Sequence, residues 1–183
     1  PLPSTTAFHA VLGRWGWTPG LQVVSYDAGP GALAAARLRW LLRLAGVQEV
    51  AVLDGGFAAW QAAGLPLETA SPPRARTEVA LARDARQAIV DHAALRAEPS
   101  PLVVDARAAA RYRGDVEPLD RAAGHVPGAR NRPYVDNFLV DGHFKSPAQL
   151  REEFAMVLGD TTPDQVVHMC GSGVTACYNL LAM

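Results

Sequence analysis

A short apolar run, a glycine-containing loop and an Ala/Leu-rich helix follow one another twice in this chain. The first copy begins with the predicted strand Gln22 to Tyr26, and the second begins with Val166 to Met169. Asp27 follows the first strand at the position where Cys170 follows the second. Strands that alternate with helices predict a parallel sheet covered on both faces. We therefore expect an α/β protein with two similar units, although so short a repeat leaves open a chance likeness of unrelated segments.

The predicted elements continue this alternation along the chain. A helix from about Leu33 to Ala45 leads to a second strand, Glu49 to Leu53, and a turn at Asp54 opens a short helix that ends at Gly64. The segment 113–140 is predicted to be long and rich in loops. The other predicted elements are an edge strand over Val79 to Leu81, a helix over Asp91 to Glu98, a strand over Leu102 to Asp105, and helices over Arg107 to Tyr112 and Ser146 to Leu158.

Cys170 stands where the second predicted strand gives way to the loop Gly171-Ser172-Gly173. Backbone N–H groups of such a loop, and of the first turn of the next helix, would point at the sulfur and stabilise its anion. This context favours a nucleophilic cysteine that carries a covalent intermediate. The alternative, a buried structural cysteine, fits Cys177 better.

Composition and residue spacing argue against several function classes. The net charge of -1 and the pI of about 6.6 give no general attraction to nucleic acid or to an anionic membrane. No apolar run approaches the roughly 20 residues that span a bilayer. Two cysteines make no disulfide framework, so the cytoplasm is the expected compartment. His168, Cys170 and Cys177 lack the paired spacing of a zinc site, and we expect no metal.

Four motifs lie along the chain in a fixed order. They are Leu53-Asp54-Gly55-Gly56-Phe57 with Trp60, Val103-Val104-Asp105-Ala106-Arg107, Gly124-His125-Val126-Pro127-Gly128-Ala129, and Cys170-Gly171-Ser172-Gly173-Val174-Thr175. Together they resemble the tandem-domain rhodanese sulfurtransferases over nearly the whole chain. The cysteine loop is similar to the version in 3-mercaptopyruvate sulfurtransferases, whereas the thiosulfate-preferring version has basic residues after the cysteine. The resemblance implies two rhodanese-like units, each a parallel sheet flanked by helices.

The resemblance also implies an activity and its site residues. The chain would move a sulfane sulfur from 3-mercaptopyruvate to a thiol or cyanide acceptor through a Cys170 persulfide. Arg111 matches a family arginine that contacts the anionic donor, and a guanidinium suits a carboxylate. The loop residues expected to hold the thiolate and the substrate are Gly171, Ser172, Gly173, Val174 and Thr175. No cofactor is expected, because the cysteine carries the sulfur, and thioredoxin is one candidate acceptor.

Two further residues, Arg121 and His125, are weaker candidates for a role in the reaction. A second family arginine normally lies further along, but the stretch 114–124 is shorter here, and Arg121 is only a loose match. His125 is expected to be structural, bonding the backbone of its own turn.

The resemblance gives a domain scheme. Residues 1–66 would be the C-terminal part of a catalytically silent rhodanese domain, residues 67–84 a linker containing Pro72-Pro73, and residues 85–183 the catalytic domain without its C-terminal end. The chain begins at Pro1 without an initiator methionine and stops at Met183 within the last predicted helix. Both units are therefore expected to be truncated.

Three other functions are compatible with a cysteine loop of this kind and differ in the residues that they require. A phosphatase of the same fold needs an arginine six positions after the cysteine, and Ala176 stands there. A non-catalytic rhodanese interaction module tends to lack the cysteine, which is present here. A thiosulfate sulfurtransferase that uses cyanide as acceptor is the nearest alternative within the enzyme class.

Overall fold

The structure is a computed structural model that describes residues 2–82, 88–97 and 99–183. Helices and strands alternate along most of this chain. They are α1 (Thr5–Arg14), β1 (Val23–Ser25), α2 (Ala34–Leu44), β2 (Val50–Val52), α3 (Gly56–Ala62), α4 (His92–Leu95), β3 (Leu102–Asp105), α5 (Ala109–Arg113), β4 (Arg130–Asn131), α6 (Pro147–Leu158), β5 (Val166–Met169) and α7 (Ala176–Ala182), with short 3₁₀ helices at Tyr134–Asn137 and Pro163–Gln165. No helix among the described residues has the length and apolar character needed to cross a bilayer.

The strands form two parallel sheets. In the first, β1 pairs with β2, and Val23 lies opposite Val50. In the second, the strand order is β4-β3-β5, and Asp105 lies opposite Met169. Because parallel strands end at the same edge of a sheet, the loops after β3 and β5 leave this sheet side by side. The α/β class with parallel sheets and flanking helices is thus confirmed.

Two hydrophobic clusters hold the helices on these sheets. The first packs α1 and α2 together through Phe8, Leu12, Trp17, Leu41, Leu42, Ala45 and Val47. The second lies between α2 and α7 and contains Ala32, Ala36, Cys177 and Tyr178. Burial of these apolar side chains is the main stabilising contribution within each cluster, and only the second cluster joins the two halves of the chain. The second cluster therefore brings α2 against the helix that follows Cys170.

Polar contacts across the same junction fix its geometry. The Tyr178 hydroxyl donates to the Pro30 carbonyl oxygen at 3.1 Å. The Asp54 carboxylate accepts the N–H of Phe144 at 2.8 Å. Both contacts join segments far apart in sequence, so the loop after β1 and the loop after β2 are each tied to the second half of the chain.

Several element boundaries agree with the sequence prediction. β3 and β5 occupy the predicted residues, and α6 begins and ends as expected. At its start the Ser146 hydroxyl accepts the N–H of Gln149 at 3.3 Å, and the Gln149 side-chain oxygen accepts the N–H of Ser146 at 3.1 Å. This reciprocal capping box satisfies two N–H groups that a helix start leaves without partners.

Other predicted elements differ from the structure. The segment Val79 to Leu81 is not a strand. An edge strand needs a neighbouring strand, and here Leu81 instead meets the His9 ring, whose Nε2 lies 3.1 Å from the Leu81 carbonyl oxygen. Helix α1, which supplies His9, was not predicted. The segment 113–140 contains β4 and a 3₁₀ helix as well as loops.

Two predicted helices are shorter or shifted. α4 has four residues, with the Asp91 carboxylate accepting the N–H of Ala94 at 2.8 Å as its cap. Its predicted end, Glu98, and the predicted boundary between residues 84 and 85 lie outside the described residues. α5 begins at Ala109 rather than Arg107, because the backbone N–H and the guanidinium of Arg107 both bond Asp105.

Candidate active site

Cys170 lies at the end of β5, at the start of the loop that leads into α7. The N–H of Gly173 points at its sulfur, with the nitrogen 3.1 Å from Sγ. Gly173 has a φ of +75°, a left-handed conformation that glycine adopts without steric cost. The loop can therefore curl back over the sulfur, as the sequence predicts.

The environment of Cys170 favours its thiolate. Burial raises the pKa of the thiol, but the hydrogen bonds around the sulfur outweigh it. They come from the Thr175 side chain and from the backbone N–H groups of Ala176, Ser172 and Gly173, and together they hold the pKa of Cys170 below its usual value. The first turn of α7 thus supplies one of the donors that stabilise the anion.

Cys177 has the opposite environment. Its side chain is buried in the second hydrophobic cluster, and its thiol donates to the Gly173 carbonyl oxygen at 3.2 Å. Burial raises the pKa of Cys177, and the nearby Arg37 offsets this only in part. These contacts are those of a packing residue, in line with the structural role expected for Cys177.

Asp27 occupies the corresponding position after β1, and its carboxylate is held by the loop that follows. Oδ1 accepts the N–H groups of Gly29 and Gly31 at 3.1 and 3.0 Å. Oδ2 accepts those of Leu33 and Ala35 at 3.2 and 3.3 Å. Backbone N–H groups converging in this way form an anion site at a helix N-terminus. In the first half of the chain the Asp27 side chain occupies this position, and in the second half the Cys170 sulfur occupies it.

A cleft of about 770 Å³ opens beside the cysteine loop. Cys170, Gly171, Ser172, Val174 and Thr175 line it. Arg111 and Tyr134 line it from the same half of the chain, and Arg37 on α2 lines it from the other half. The arginines that line it can bind a small organic anion, although the Asp120 carboxylate lines the cleft as well. Gly173 is the one predicted loop residue that does not line the cleft, since it is turned inward to the sulfur.

Arg111, the predicted donor-binding residue, lies next to the loop. A methyl group added at Gly171 would be 3.5 Å from Arg111 Nη2. The guanidinium is held by two carboxylates, since its Nη2 lies 2.7 Å from Glu117 Oε1 and 2.9 Å from Asp120 Oδ2. The Arg111 hydrogen bonds, with the backbone N–H groups of Asp120 and Leu119, lower the pKa of Glu117 to about 2.

Arg107 extends this network into the protein interior. Its guanidinium bonds both oxygens of the fully buried Asp105 and also donates to the Gly124 carbonyl oxygen at 2.7 Å. The Asp105 hydrogen bond raises the pKa of Arg107. Asp105 therefore fixes Arg107, and Arg107 in turn contacts Glu117 at 3.4 Å, so the carboxylate that holds Arg111 is itself anchored.

Three residues of the site were not found by sequence reasoning. Arg37, Glu117 and Asp120 have no local pattern that marks them, because Arg37 approaches the loop from 136 residues away and the two acidic residues lie in a loop without periodicity.

Two other predicted residues lie apart from the sulfur. Arg121 is exposed and does not line the cleft. His125 is structural, although it bonds outside its own turn: Nδ1 lies 2.7 Å from the Tyr112 carbonyl oxygen, and its ring stacks on the Tyr112 ring at 3.7 Å. The prediction that it bonds its own turn was wrong, because the turn folds back against the end of α5.

No cluster of three or more His, Cys, Asp or Glu side chains in the described part of the chain is placed to hold a metal ion.

Comparisons with known proteins agree with this geometry. The rhodanese-like domain family matches residues 1–63. A probable 3-mercaptopyruvate sulfurtransferase of Pseudomonas aeruginosa is 44% identical over all of this chain and 65% of its own length. A putative thiosulfate sulfurtransferase of Mycobacterium tuberculosis is 36% identical, again over 100% of this chain and 65% of its own length. The chain thus spans about two thirds of these curated relatives.

Solved structures give the same picture. The 3-mercaptopyruvate sulfurtransferase from Leishmania major superposes with a TM-score of 0.84 and 32% sequence identity. The match covers 100% of this chain and 51% of that one.

Proposed function

Because this chain belongs to the rhodanese-like family, we propose that it is part of a sulfurtransferase in which Cys170 carries sulfur from 3-mercaptopyruvate to a thiol or cyanide. The observation that carries the proposal is the Gly173 N–H aimed at Cys170 Sγ at the wall of a cleft that Arg37 and Arg111 line. A stabilised thiolate beside an anion-binding arginine is what attack on an anionic sulfur donor requires.

In the first half-reaction the Cys170 thiolate attacks the sulfur of 3-mercaptopyruvate. The new bond is S–S, and the C–S bond of the donor breaks with its electron pair on carbon. The carbanion is the enolate of pyruvate, and it leaves as pyruvate after taking up a proton. Ser172 lines the cleft, and its hydroxyl can donate to an oxygen of the donor, whereas the Thr175 hydroxyl donates to the Cys170 sulfur. Arg111 binds the donor carboxylate.

In the second half-reaction a thiolate or cyanide attacks the outer sulfur of the persulfide. The S–S bond breaks, and its electron pair returns to Cys170 as thiolate. The N–H groups that hold the resting thiolate also hold this leaving group, so the same loop serves both steps. The proposed acceptors include protein thiols, for example the thiol of a thioredoxin in the cytoplasm.

The domain scheme belongs to the same proposal. Residues 1–66 act as a catalytically silent rhodanese unit, 67–84 as linker and 85–183 as the catalytic unit, each a portion of a larger domain. The loop after β1 supports a first unit without catalytic activity. The Asp27 carboxylate occupies the position that a nucleophilic sulfur would need and accepts the backbone N–H groups of the loop.

Thiosulfate is the second candidate donor. The M. tuberculosis relative is named a putative thiosulfate sulfurtransferase. Its sequence identity to this chain is close to that of the 3-mercaptopyruvate sulfurtransferase of the rat. The cysteine loop, however, contains no lysine or arginine next to the sulfur. Such positive charges would stabilise the bound thiosulfate dianion more than a monoanion.

Intact-mass measurement after brief exposure to each donor tests the proposal. Wild type should gain one sulfur atom, Cys177→Ser should gain one as well, and Cys170→Ser should gain none. The donor that loads the protein faster identifies the subclass. If neither donor adds sulfur to folded wild-type protein, the proposal fails in favour of an interaction module.

A further inference from the structure

The Arg111 guanidinium is shared by two carboxylates on two of its edges. Glu117 takes the edge formed by Nε and Nη2, at 3.1 and 2.7 Å. Asp120 accepts from Nη2 at 2.9 Å, on the edge that Nη2 shares with Nη1. Among the described residues, Nη1 has no hydrogen-bond partner. An arginine binds a carboxylate best through two N–H groups of one edge, and only the edge held by Asp120 faces the cysteine loop.

The two carboxylates are held very differently. The Glu117 side chain is 5% exposed and also accepts the N–H groups of Leu119 and Asp120. The Asp120 side chain is 44% exposed. A methyl group added at Gly171 would lie 3.6 Å from Asp120 Oδ2, so this carboxylate stands in the cleft beside the residue that follows Cys170. Glu117 is thus a fixed partner of Arg111, and Asp120 can turn to solvent.

We propose that Asp120 occupies the place of the donor carboxylate on Arg111, and that every donor must displace it. This inference rests on the proposed function. The donor's carboxylate replaces Asp120 Oδ2 on the outer edge of the guanidinium, while Glu117 keeps the inner edge and the orientation of Arg111. One carboxylate replaces another, so the hydrogen bonds of Arg111 are conserved, and what Asp120 gives up besides is its contact of 3.9 Å with Arg107 Nη1.

Asp120 also selects between donors. After displacement its charge remains near the bound anion, and the repulsion between them grows with the charge of that anion. Thiosulfate carries two negative charges in place of the single carboxylate of 3-mercaptopyruvate. The penalty on thiosulfate is therefore about twice as large. Asp120 is in this way a specificity-determining residue that favours a monoanionic carboxylate donor.

The test compares Asp120→Asn with Asp115→Asn in the 183-residue chain. Asp115 pairs with Arg113 at 2.8 Å on the surface, on the same loop but outside the cleft, so its variant removes the same charge without touching Arg111. KM and kcat are measured for 3-mercaptopyruvate and for thiosulfate. The affinity for pyruvate, which reports on Arg111 without any sulfur transfer, is measured by calorimetry.

Asp120→Asn should lower KM for 3-mercaptopyruvate and the dissociation constant of pyruvate by about threefold to tenfold. The fall in KM for thiosulfate should be larger, and Asp115→Asn should match wild type. Unchanged or weaker pyruvate binding in Asp120→Asn overturns the inference, because Asp120 would then help to orient Arg111. Wild type that binds pyruvate but gains sulfur from neither donor instead refutes the proposed function.

Discussion

Arg37 on α2 donates a hydrogen bond of 3.0 Å to the carbonyl oxygen of Gly173, the residue whose own N–H points at Cys170 Sγ. The guanidinium also lies 4.6 Å from the centre of the Trp40 ring, a cation–π contact that restricts its rotation. A helix of the first half of the chain therefore holds the cysteine loop of the second half.

Replacing Arg37 by methionine removes this hydrogen bond and its charge while keeping much of the side-chain volume. Gly173 can then move, and its N–H stabilises the thiolate less well. We expect kcat for sulfur transfer to fall about tenfold, a smaller loss than complete removal of an oxyanion donor. Iodoacetamide labelling of Cys170 should also require a higher pH.

Arg43→Met is the matched control for this experiment, because Arg43 lies exposed on the same helix. Arg37→Lys should recover part of the activity, since a lysine can still reach a carbonyl with one donor. A labelling profile of Arg37→Met that coincides with that of wild type would show that the loop holds its shape alone.

Cys170 should react selectively in a protein that contains two free cysteines. Its pKa lies below the usual value, so its thiolate is populated at a lower pH and alkylation should reach its plateau earlier than that of a free cysteine. Burial excludes reagent from Cys177 and raises its pKa. Peptide mapping after limited iodoacetamide treatment should find label on Cys170 alone. Equal labelling of both residues in folded protein would contradict this assignment.

Sequence reasoning found the elements whose signals are local. β5 is a short apolar run, and α6 carries the serine cap and first-turn proline that define a helix start. α1 has similar signals, with Ser4 capping the N–H of Ala7 and Phe8 and Leu12 one turn apart in the core, so it could have been predicted.

The contacts that assemble the site could not be predicted in the same way. The short apolar run from Val79 to Leu81 is typical of an extended segment but does not identify its partner, which is a histidine ring on α1. Arg37 is one of three arginines of α2, and which of them contacts the cysteine loop depends on how α2 packs against α7. Such choices are made by tertiary packing, which local sequence patterns do not encode.

Asp27 should matter for stability and not for chemistry. Its carboxylate accepts four backbone N–H groups at the start of α2, and Asp27→Ala leaves them without that partner. We expect urea unfolding to show a loss of about 2 to 3 kcal/mol. Asp27→Asn keeps one acceptor oxygen and should lose about half as much. The yield of Cys170 persulfide per folded molecule should match wild type in both variants. A loss of persulfide without a loss of stability would give Asp27 a role in the reaction.

His168 gives a prediction about acid sensitivity. The ring lies in β5 against Phe154, and both of its nitrogens lack hydrogen-bond partners among the described residues. Burial lowers the pKa of His168 to about 4, against 6.5 for an ordinary histidine. Between pH 6.5 and about 4 the histidine is protonated in the unfolded chain but not in the folded protein. The free energy of unfolding therefore decreases as the pH falls from 6.5 towards 4.

His168→Leu removes this titration and two unsatisfied buried nitrogens. At neutral pH the variant should be as stable as wild type or up to about 1 kcal/mol more stable. At about pH 5 its advantage should grow by about 2 kcal/mol, because only wild type then loses stability through the histidine. Urea unfolding at the two pH values measures both differences. His92→Gln, at an exposed position on α4, should follow wild type at both. Parallel pH curves for wild type and His168→Leu would mean that the folded protein accepts the proton on His168, with a hydrogen-bond acceptor or water reaching the ring.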